Sequence, residues 1–272
     1  MAVATTTTRP RRARERRRIS PEAIWLPASI ALAIGIAWEV LARTGVINTF
    51  FISSPSQIFL TGIEEIQAPQ FLTDLGASVQ VFAIGYSLAV VVAIPLGLIL
   101  GRFRRLGYMF EPWLDALNAT PRVALLPLVL LWFGIGLSSK VAIVFLGVFV
   151  SVIYNAYYGV RAVDRALENV PWVFGASRWR EFVSLVWPTS VPFVLVGMRL
   201  GIGRGVAGLM ISEFFASNAG LGHYIFVAGQ AFRADKVLFG AIVLTVLALI
   251  LFGIIGVLER RFESWRPRLR EE

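Results

Sequence analysis

Long apolar segments constrain this chain more than any other feature of its sequence. A helix needs about 20 apolar residues to cross the hydrocarbon core of a bilayer. Six runs reach or approach that length: 24–42, 77–101, 121–137, 140–160, 188–214 and 237–258. Of the 272 residues, 57% are hydrophobic and only 16% are charged, whereas a soluble domain carries about 25% charged residues. The sequence therefore predicts an all-α polytopic membrane protein with six spans, of which the third is the weakest because it is short and carries two prolines.

The distribution of basic residues predicts the orientation of these spans. If the N-terminus is cytoplasmic, residues 1–20 and the other cytoplasmic segments hold 20 of the 26 basic residues. Those outside the N-terminal tail are Arg102, Arg104, Arg105, Arg122, Arg161, Arg165, Arg178, Arg180, Arg260, Arg261, Arg266, Arg268 and Arg270. The external segments hold Arg43, Lys140, Arg233 and Lys236. Since cytoplasmic loops are enriched in lysine and arginine, both termini are predicted to be cytoplasmic.

The arginine-rich segment 1–20 has no apolar periodicity and is predicted to be a disordered basic cytoplasmic tail. We favour a topology signal that also contacts anionic lipids. A nucleic-acid arm is an alternative, but the net charge of +9 is explained without nucleic acid. A cleaved signal peptide is disfavoured, because the apolar run that follows is long and no Ala-x-Ala site comes after it. Residues 266–272 form a second cytoplasmic tail.

Several catalytic motifs are excluded by composition. Each of the two lysines, Lys140 and Lys236, is followed by valine, so the chain has no G-x-x-x-x-G-K-[ST] phosphate loop and is not expected to hydrolyse ATP. With no cysteine and a single histidine, His223, it has no His/Cys zinc site. We therefore predict a non-catalytic subunit with no cofactor and no metal.

The fifth apolar run contains a stripe of glycines. Its members recur at helical spacing within about 80° of one another: Gly197, Gly201, Gly205 and Gly208. Residues 203–208 also spell G-x-G-x-x-G, but no strand precedes them, so a dinucleotide site is disfavoured. Small residues on one face let another helix approach closely, and we expect this span to be central to the bundle or to a dimer interface.

The same run carries Arg199 and Arg204 and ends near Glu213. An arginine near the bilayer centre costs at least ~2.5–3.5 kcal/mol unless it faces protein or water. Arg204 falls within the glycine stripe, whereas Arg199 lies on the opposite face with Glu213. Arg199, Arg204 and Glu213 are the candidate residues of a translocation path. For the two arginines two interpretations remain open, namely a positive lining for an anion and structural pairing with carboxylates or helix-end carbonyls.

The stretch from Asp164 to Pro192 is basic and aromatic, and it separates two apolar runs. It is predicted to form two short helices joined at Gly175, which supplies the permissive backbone. Ser177 would cap the second helix and Pro188 would end it. A basic helical hairpin of this kind between two spans is suited to docking another protein.

The frame Gly175–Trp179, followed by Pro188, resembles the cytoplasmic EAA loop of membrane subunits of binding-protein-dependent ABC importers. Three further motifs are similar to the nitrate, sulfonate and taurine permease subgroup: PRVALLP at 121–127, LWFGIG at 131–136 and AGLG at 219–222. The resemblance extends from about Ser53 to the C-terminus. It implies a six-helix type I ABC importer transmembrane domain over 77–265, with the coupling loop at 161–188. A first span and an external amphipathic helix, Ser56–Gln70, would occupy 21–76.

The resemblance implies that the loop docks the ATPase, and the residues expected to do so are Glu168, Asn169, Pro171, Gly175, Ala176, Ser177, Arg178 and Pro188. The loop departs from the family pattern, because Asn169, Val170 and Pro171 replace Glu-Ala-Ala and Glu168 lies one place early. Pro171 either kinks a helix that begins at Asp164 or lies in the first turn of a helix that begins later.

The function implied is import of a small anionic solute, nitrate-, sulfonate- or taurine-like, through a path formed by two copies of the chain in the cell membrane. The resemblance implies two ATP-binding cassette ATPase subunits and an extracytoplasmic solute-binding protein as partners. The alternative is a secondary transporter driven by an ion gradient, which would show internal repeats and buried carboxylates for ion coupling. A membrane-embedded enzyme lacks a convincing set of acid, base and nucleophile.

Overall fold

The computed structural model describes residues 22–163 and 175–262. The N-terminal half of this part consists of α1 (Glu22–Arg43), α2 (Pro55–Gln67), α3 (Pro69–Arg102), α4 (Arg104–Ala119), a 3₁₀ turn (Arg122–Leu125), α5 (Leu126–Phe133) and α6 (Leu137–Arg161). The C-terminal half consists of α7 (Arg178–Glu181), a π turn (Phe182–Val186), α8 (Trp187–Ala216), α9 (Leu221–Gln230) and α10 (Ala234–Phe262). The tails 1–20 and 266–272 lie outside the described residues.

Five helices of the described chain are long and apolar enough to cross a membrane: α1, α3, α6, the run from α7 through α8, and α10. A sixth crossing is available if α4 and the segment Arg122–Phe133, which meet at a bend of 93°, act as one broken span. The predicted all-α polytopic membrane fold is confirmed.

The third span differs from its prediction. The sequence placed it at 121–137, but the broken span begins at Arg104 and ends at Phe133. Helix α4 was missed because it carries charged side chains, one of which is paired between helices. Glu111 accepts from Arg161 at 3.0 Å and from Tyr158 at 3.3 Å. Arg122, which the sequence analysis assigned to a cytoplasmic segment, lies in the 3₁₀ turn just after the bend.

Helix α6 lies at the centre of the bundle and packs along α3. Glycines of α3 meet it in register: a Cβ built at Gly97 would lie 2.6 Å from Ala156 Cβ and 2.7 Å from the Ile153 carbonyl oxygen. Farther along, Gly101 faces Val160 in the same way. Because the contacts advance in the same direction on both helices, α3 and α6 run parallel. The chain must therefore cross back between them, which the broken span does.

Helix α8 packs on α6 in the opposite direction. The four glycines of the predicted stripe all lie close to α6, against Asn155, Val148 or Ile143. A glycine of α6, Gly147, is equally close to α8, since a Cβ there would lie 2.9 Å from the carbonyl oxygen of Arg204. Small residues on both helices thus bring the two backbones together.

Helices α1 and α2 are joined by a carboxylate. Glu39 of α1 accepts from the backbone N–H of Ser56 at 3.0 Å and from its hydroxyl at 2.8 Å, which satisfies a free donor at the start of α2. At the other face of α2, Thr61 donates to Asp235 of α10 at 2.9 Å. The predicted domain division between residues 76 and 77 falls inside α3, because that helix continues from Pro69 without a break.

The packing of α3 on α6 predicts opposite effects for two identical substitutions in α3. Gly97→Ala should lower stability by about 1–3 kcal/mol, because its Cβ meets backbone atoms that cannot move aside. Gly76→Ala is the matched control, since nothing lies within 4 Å of a Cβ there. That variant should be neutral or more stable by up to about 1 kcal/mol through helix propensity. Thermal unfolding of the purified protein measures both. Equal melting temperatures for the two variants would contradict this account of the helix contact.

Candidate functional site

The described part of the predicted coupling loop begins with a tight turn at Gly175, whose φ is +68°. A residue with a side chain adopts this left-handed conformation with strain. Ala176 follows, and Ser177 then caps α7 by accepting from the N–H of Arg180 at 3.3 Å. The other predicted loop residues, Glu168, Asn169 and Pro171, lie outside the described residues.

Pro188 does not end the second helix of the hairpin, which corrects the prediction. The chain runs as one helical span from Arg178 to Ala216. The π turn Phe182–Val186 makes this possible, because Trp187 N–H donates to the Phe182 carbonyl five residues earlier. The wider turn accommodates the missing donor and the ring of Pro188. Thr189 and Ser190 also donate their hydroxyls to carbonyls of the turn, at 2.8 and 2.6 Å.

A charged contact joins residues 175–186, which we call the coupling segment after the predicted coupling loop, to α3. Arg102, the last residue of α3, donates through Nη2 to both carboxylate oxygens of Glu181 at 2.9 and 2.8 Å. The Glu181 side chain is only 3% exposed, so the contact is largely shielded from water. Helix α7 is therefore joined to α8 through the backbone and to α3 through this ion pair.

Of the three predicted path residues, Arg204 lies in the interior between helices. Its Nη1 donates to Asn118 Oδ1 of α4 at 3.0 Å and to Ser151 Oγ of α6 at 3.1 Å. Both acceptors are neutral. Arg204 thus joins the broken span to α6 and α8, near the midpoints of the two long helices.

Arg199 is placed differently. It donates to Glu259 of α10 at 3.2 Å with 55% of its side chain exposed, and its guanidinium lies over the ring of Phe252 at 5.8 Å. For Arg199 the structure favours the second of the two interpretations left open, that of structural pairing. It does not lie with Arg204.

Glu213 belongs to α8 and is fully buried. Its carboxylate lies next to the first residues of α9. It accepts from the Ser78 hydroxyl at 2.7 and 2.9 Å and from the N–H of Gly222 at 2.7 Å. The neighbouring N–H groups are also satisfied, since Leu221 donates to Ser78 Oγ at 2.7 Å and Gly220 donates to Asp74 at 2.9 Å. We call Asp74, Ser78 and Glu213 the α9 cap, because they bind the free N–H groups that begin this helix.

The α9 cap explains the Ala-Gly-Leu-Gly motif at 219–222. Gly220 has φ +126°, and a Cβ there would lie 2.3 Å from Glu213 Oε1. Lys140 supplies nearby positive charge and donates to Ser217 at 2.9 Å. Sequence reasoning missed Asp74 and Ser78, whose partners are more than 130 positions away. The glycine motif was the one signal in the sequence that another group packs closely against residues 219–222.

Ser78 should be the most sensitive hydroxyl of the α9 cap. Ser78→Ala removes a donor from buried Glu213 and leaves the N–H of Leu221 without an acceptor, so we expect a loss of about 1–3 kcal/mol. Ser212→Ala is the matched control, because that buried hydroxyl donates only to the Leu209 carbonyl of its own helix. Chemical or thermal unfolding compares the two variants. Equal stabilities would show that the α9 cap contributes nothing.

Comparison with known proteins agrees with this architecture. Residues 93–264 match the family described as binding-protein-dependent transport system inner membrane component. The chain is 31% identical over 244 residues to the putative aliphatic sulfonates transport permease protein SsuC of Bacillus subtilis, covering 89% of this chain and 88% of that protein. It is 30% identical over 257 residues to the taurine transport system permease protein TauC of Escherichia coli, covering 90% and 93%.

A solved structure has the same fold. In the crystal structure of a bacterial alginate ABC transporter in complex with an alginate pentasaccharide-bound periplasmic protein, one chain matches with a TM-score of 0.59 and 15% identity, covering 88% of this chain and 96% of that one. The predicted type I importer transmembrane fold is thereby confirmed. The family match spans well over half of the chain, and the two curated relatives span nearly all of it. This chain belongs to the family of binding-protein-dependent transport system inner membrane components, the permease subunits of ABC importers.

Proposed function

We propose that this chain is the non-catalytic membrane subunit of an ATP-driven importer for a small anionic solute of the nitrate, sulfonate or taurine kind. The observation that carries the proposal is the continuous helical span from Arg178 to Ala216. It connects the coupling segment at one end directly to Arg204 in the interior. A partner that moves the segment would therefore move the arginine as well.

In this proposal the coupling segment is the contact surface for an ATPase subunit. Its turn at Gly175 is exposed, and nothing in the described chain lies within 4 Å of a Cβ built there. That leaves the surface open to a partner. The same proposed contact includes the other predicted loop residues: Glu168, Asn169, Pro171, Ala176, Ser177, Arg178 and Pro188. Nucleotide-driven closure of two ATPases would then act on α8 and, through Glu181 and Arg102, on α3.

The solute class is proposed from Arg204. A positive charge in a low-dielectric interior attracts an anion strongly, and the curated relatives named above include a sulfonate permease and a taurine permease. Arg199 and Glu213 are left out of the proposed path, because the first pairs with Glu259 and the second belongs to the α9 cap. Import at the cell membrane needs no cofactor on this chain.

The proposed orientation places the coupling segment and both termini in the cytoplasm. Basic residues gather at that end of the bundle, where Arg102, Arg104, Arg161 and Glu181 line a common cavity, and cytoplasmic segments are enriched in arginine. An extracytoplasmic binding protein would then approach the opposite end, beside α9. A second copy of the chain would complete the path, and the exposed Trp113, Leu131 and Trp132 of α4 and α5 offer it an apolar surface.

Substitutions at Gly175 test the coupling proposal. Gly175→Val should weaken ATPase association and solute-stimulated hydrolysis by about tenfold or more, because a β-branched residue at positive φ costs about 1–3 kcal/mol. Gly175→Asn should be tolerated far better, because asparagine adopts this conformation readily. Both variants should insert into the membrane normally.

The measurement is ATPase binding and solute uptake by the assembled importer. If both variants fail equally, the side chain itself obstructs the partner, and close fit rather than the turn is the constraint. A Gly175→Val protein with parental uptake would contradict the proposal that this segment couples ATP hydrolysis to transport.

A further inference from the structure

Arg122 lies at the break of the broken span, in the 3₁₀ turn Arg122–Leu125. The 3₁₀ turn that contains it contacts both α6 and α8, and the charges of Arg122 and Arg204 are close enough to repel each other. The bend between α4 and α5 thus brings a second arginine within electrostatic range of Arg204. In the sequence, Arg122 was visible as a topology signal and as part of the PRVALLP motif at 121–127.

Neither arginine has an anionic partner within the described residues. Arg122 Nε and Nη2 are buried and have no hydrogen-bond partner there, while Arg204 bonds to the neutral side chains of Asn118 and Ser151. The ion pairs recorded within the described residues involve other arginines or Lys236. Both side chains are half-buried, and a guanidinium group withdrawn from water is normally paired, because an unpaired charge in a low-dielectric interior is costly. Two adjacent ones add mutual repulsion.

We infer that Arg122 and Arg204 together form a binding site for a small oxyanion. The buried Nε and Nη2 of Arg122 lie on one edge of its guanidinium, the fork that binds two oxygens of a carboxylate, nitrate or sulfonate group. Asn118 accepts from Arg204 through Oδ1, so its amide N–H groups are left to donate to the same anion. The site therefore takes an anion with at least two oxygens and rejects cations.

This inference rests on the proposed function, which it deepens by naming a second residue and the chemical group recognised. It also accounts for the break in the span. A regular helix leaves no free backbone or room at its midpoint, whereas the bend brings the 3₁₀ turn Arg122–Leu125 into contact with α6 and α8. Irregular backbone at membrane depth is tolerated where protein or a cavity surrounds it, and binding sites in transporters are found at such breaks.

Binding is tested on the purified full-length chain, without its partners. Its melting temperature is measured during titration with sodium ethanesulfonate and with dimethyl sulfone, a neutral molecule of similar size, at an ionic strength held constant with sodium chloride. A ligand that binds only the folded state raises the melting temperature. Ethanesulfonate should raise that of the parental protein by about 2–4 °C, and dimethyl sulfone should not.

The variants are Arg122→Gln, Arg204→Gln and, as the matched control, Arg199→Gln. The ethanesulfonate shift should disappear in the first two and persist in the third, since Arg199 is paired with Glu259. Without ligand, Arg122→Gln should melt at a higher temperature than the parent, because repulsion and an unsatisfied buried charge are removed. Arg122→Lys keeps the positive charge but lacks the paired N–H donors of a guanidinium group. This variant should fold, and ethanesulfonate should raise its melting temperature much less than that of the parent.

Two results would overturn the inference. One is an ethanesulfonate shift that survives Arg122→Gln. The other is a lower melting temperature of ligand-free Arg122→Gln, which would show that Arg122 is paired with a partner beyond the described residues. The proposed function fails separately, if the anion binds as described but ATP drives no uptake by the assembled importer.

Discussion

Close backbone contact between α6 and its two long neighbours, α3 and α8, fixes the positions of the other helices. In a bilayer, lipid is as apolar as leucine, so helices associate through tight packing rather than by escaping water. Gly97 on one side of α6 and the α8 stripe on the other bring backbones to distances that no side chain would allow. Gly147 of α6 packs in the same way against the backbone of Arg204. The contact therefore sets the depth at which the arginine reaches Ser151 and Asn118.

The helical span Arg178–Ala216, which comprises α7, the π turn and α8, is held near both of its ends by buried carboxylates. At the coupling end Glu181 binds Arg102 of α3, and at the opposite end Glu213 belongs to the α9 cap with Ser78 of the same α3. Between them the chain stays helical because the π turn accommodates Pro188. In the proposed mechanism, a displacement at Gly175 would reach Arg204 along one continuous helical span, Arg178–Ala216. In this account α3, α6 and α8 respond together.

The sequence predicted the features that depend on local composition and failed where distant residues meet. Five apolar runs were located correctly, because a span must be apolar wherever it faces lipid. Helix α4 is less apolar than the other spans, because its polar side chains find partners on other helices. Glu111 accepts from Arg161 and Tyr158, and Asn118 accepts from Arg204. The resulting error placed Arg122 outside the bundle.

The same limit applies to the candidate site. The glycine stripe was visible as a periodic pattern, but the partner of each charged residue was not. Arg199, Arg204 and Glu213 share one helix, yet they have an exposed ion pair, an interior position and a buried helix cap respectively. Sequence spacing gives the direction of a side chain from its own helix and says nothing of what the neighbouring helix places opposite it.

The most direct test of the central claim is the energy source of transport. The chain is reconstituted into liposomes with its partner ATPase and binding protein, and uptake of ethanesulfonate is measured with enclosed ATP. The same measurement is made on the chain alone under a proton or sodium gradient. The account predicts uptake that requires ATP and the partner ATPase and vanishes without either. Sustained uptake by the chain alone, driven by an ion gradient, would contradict it.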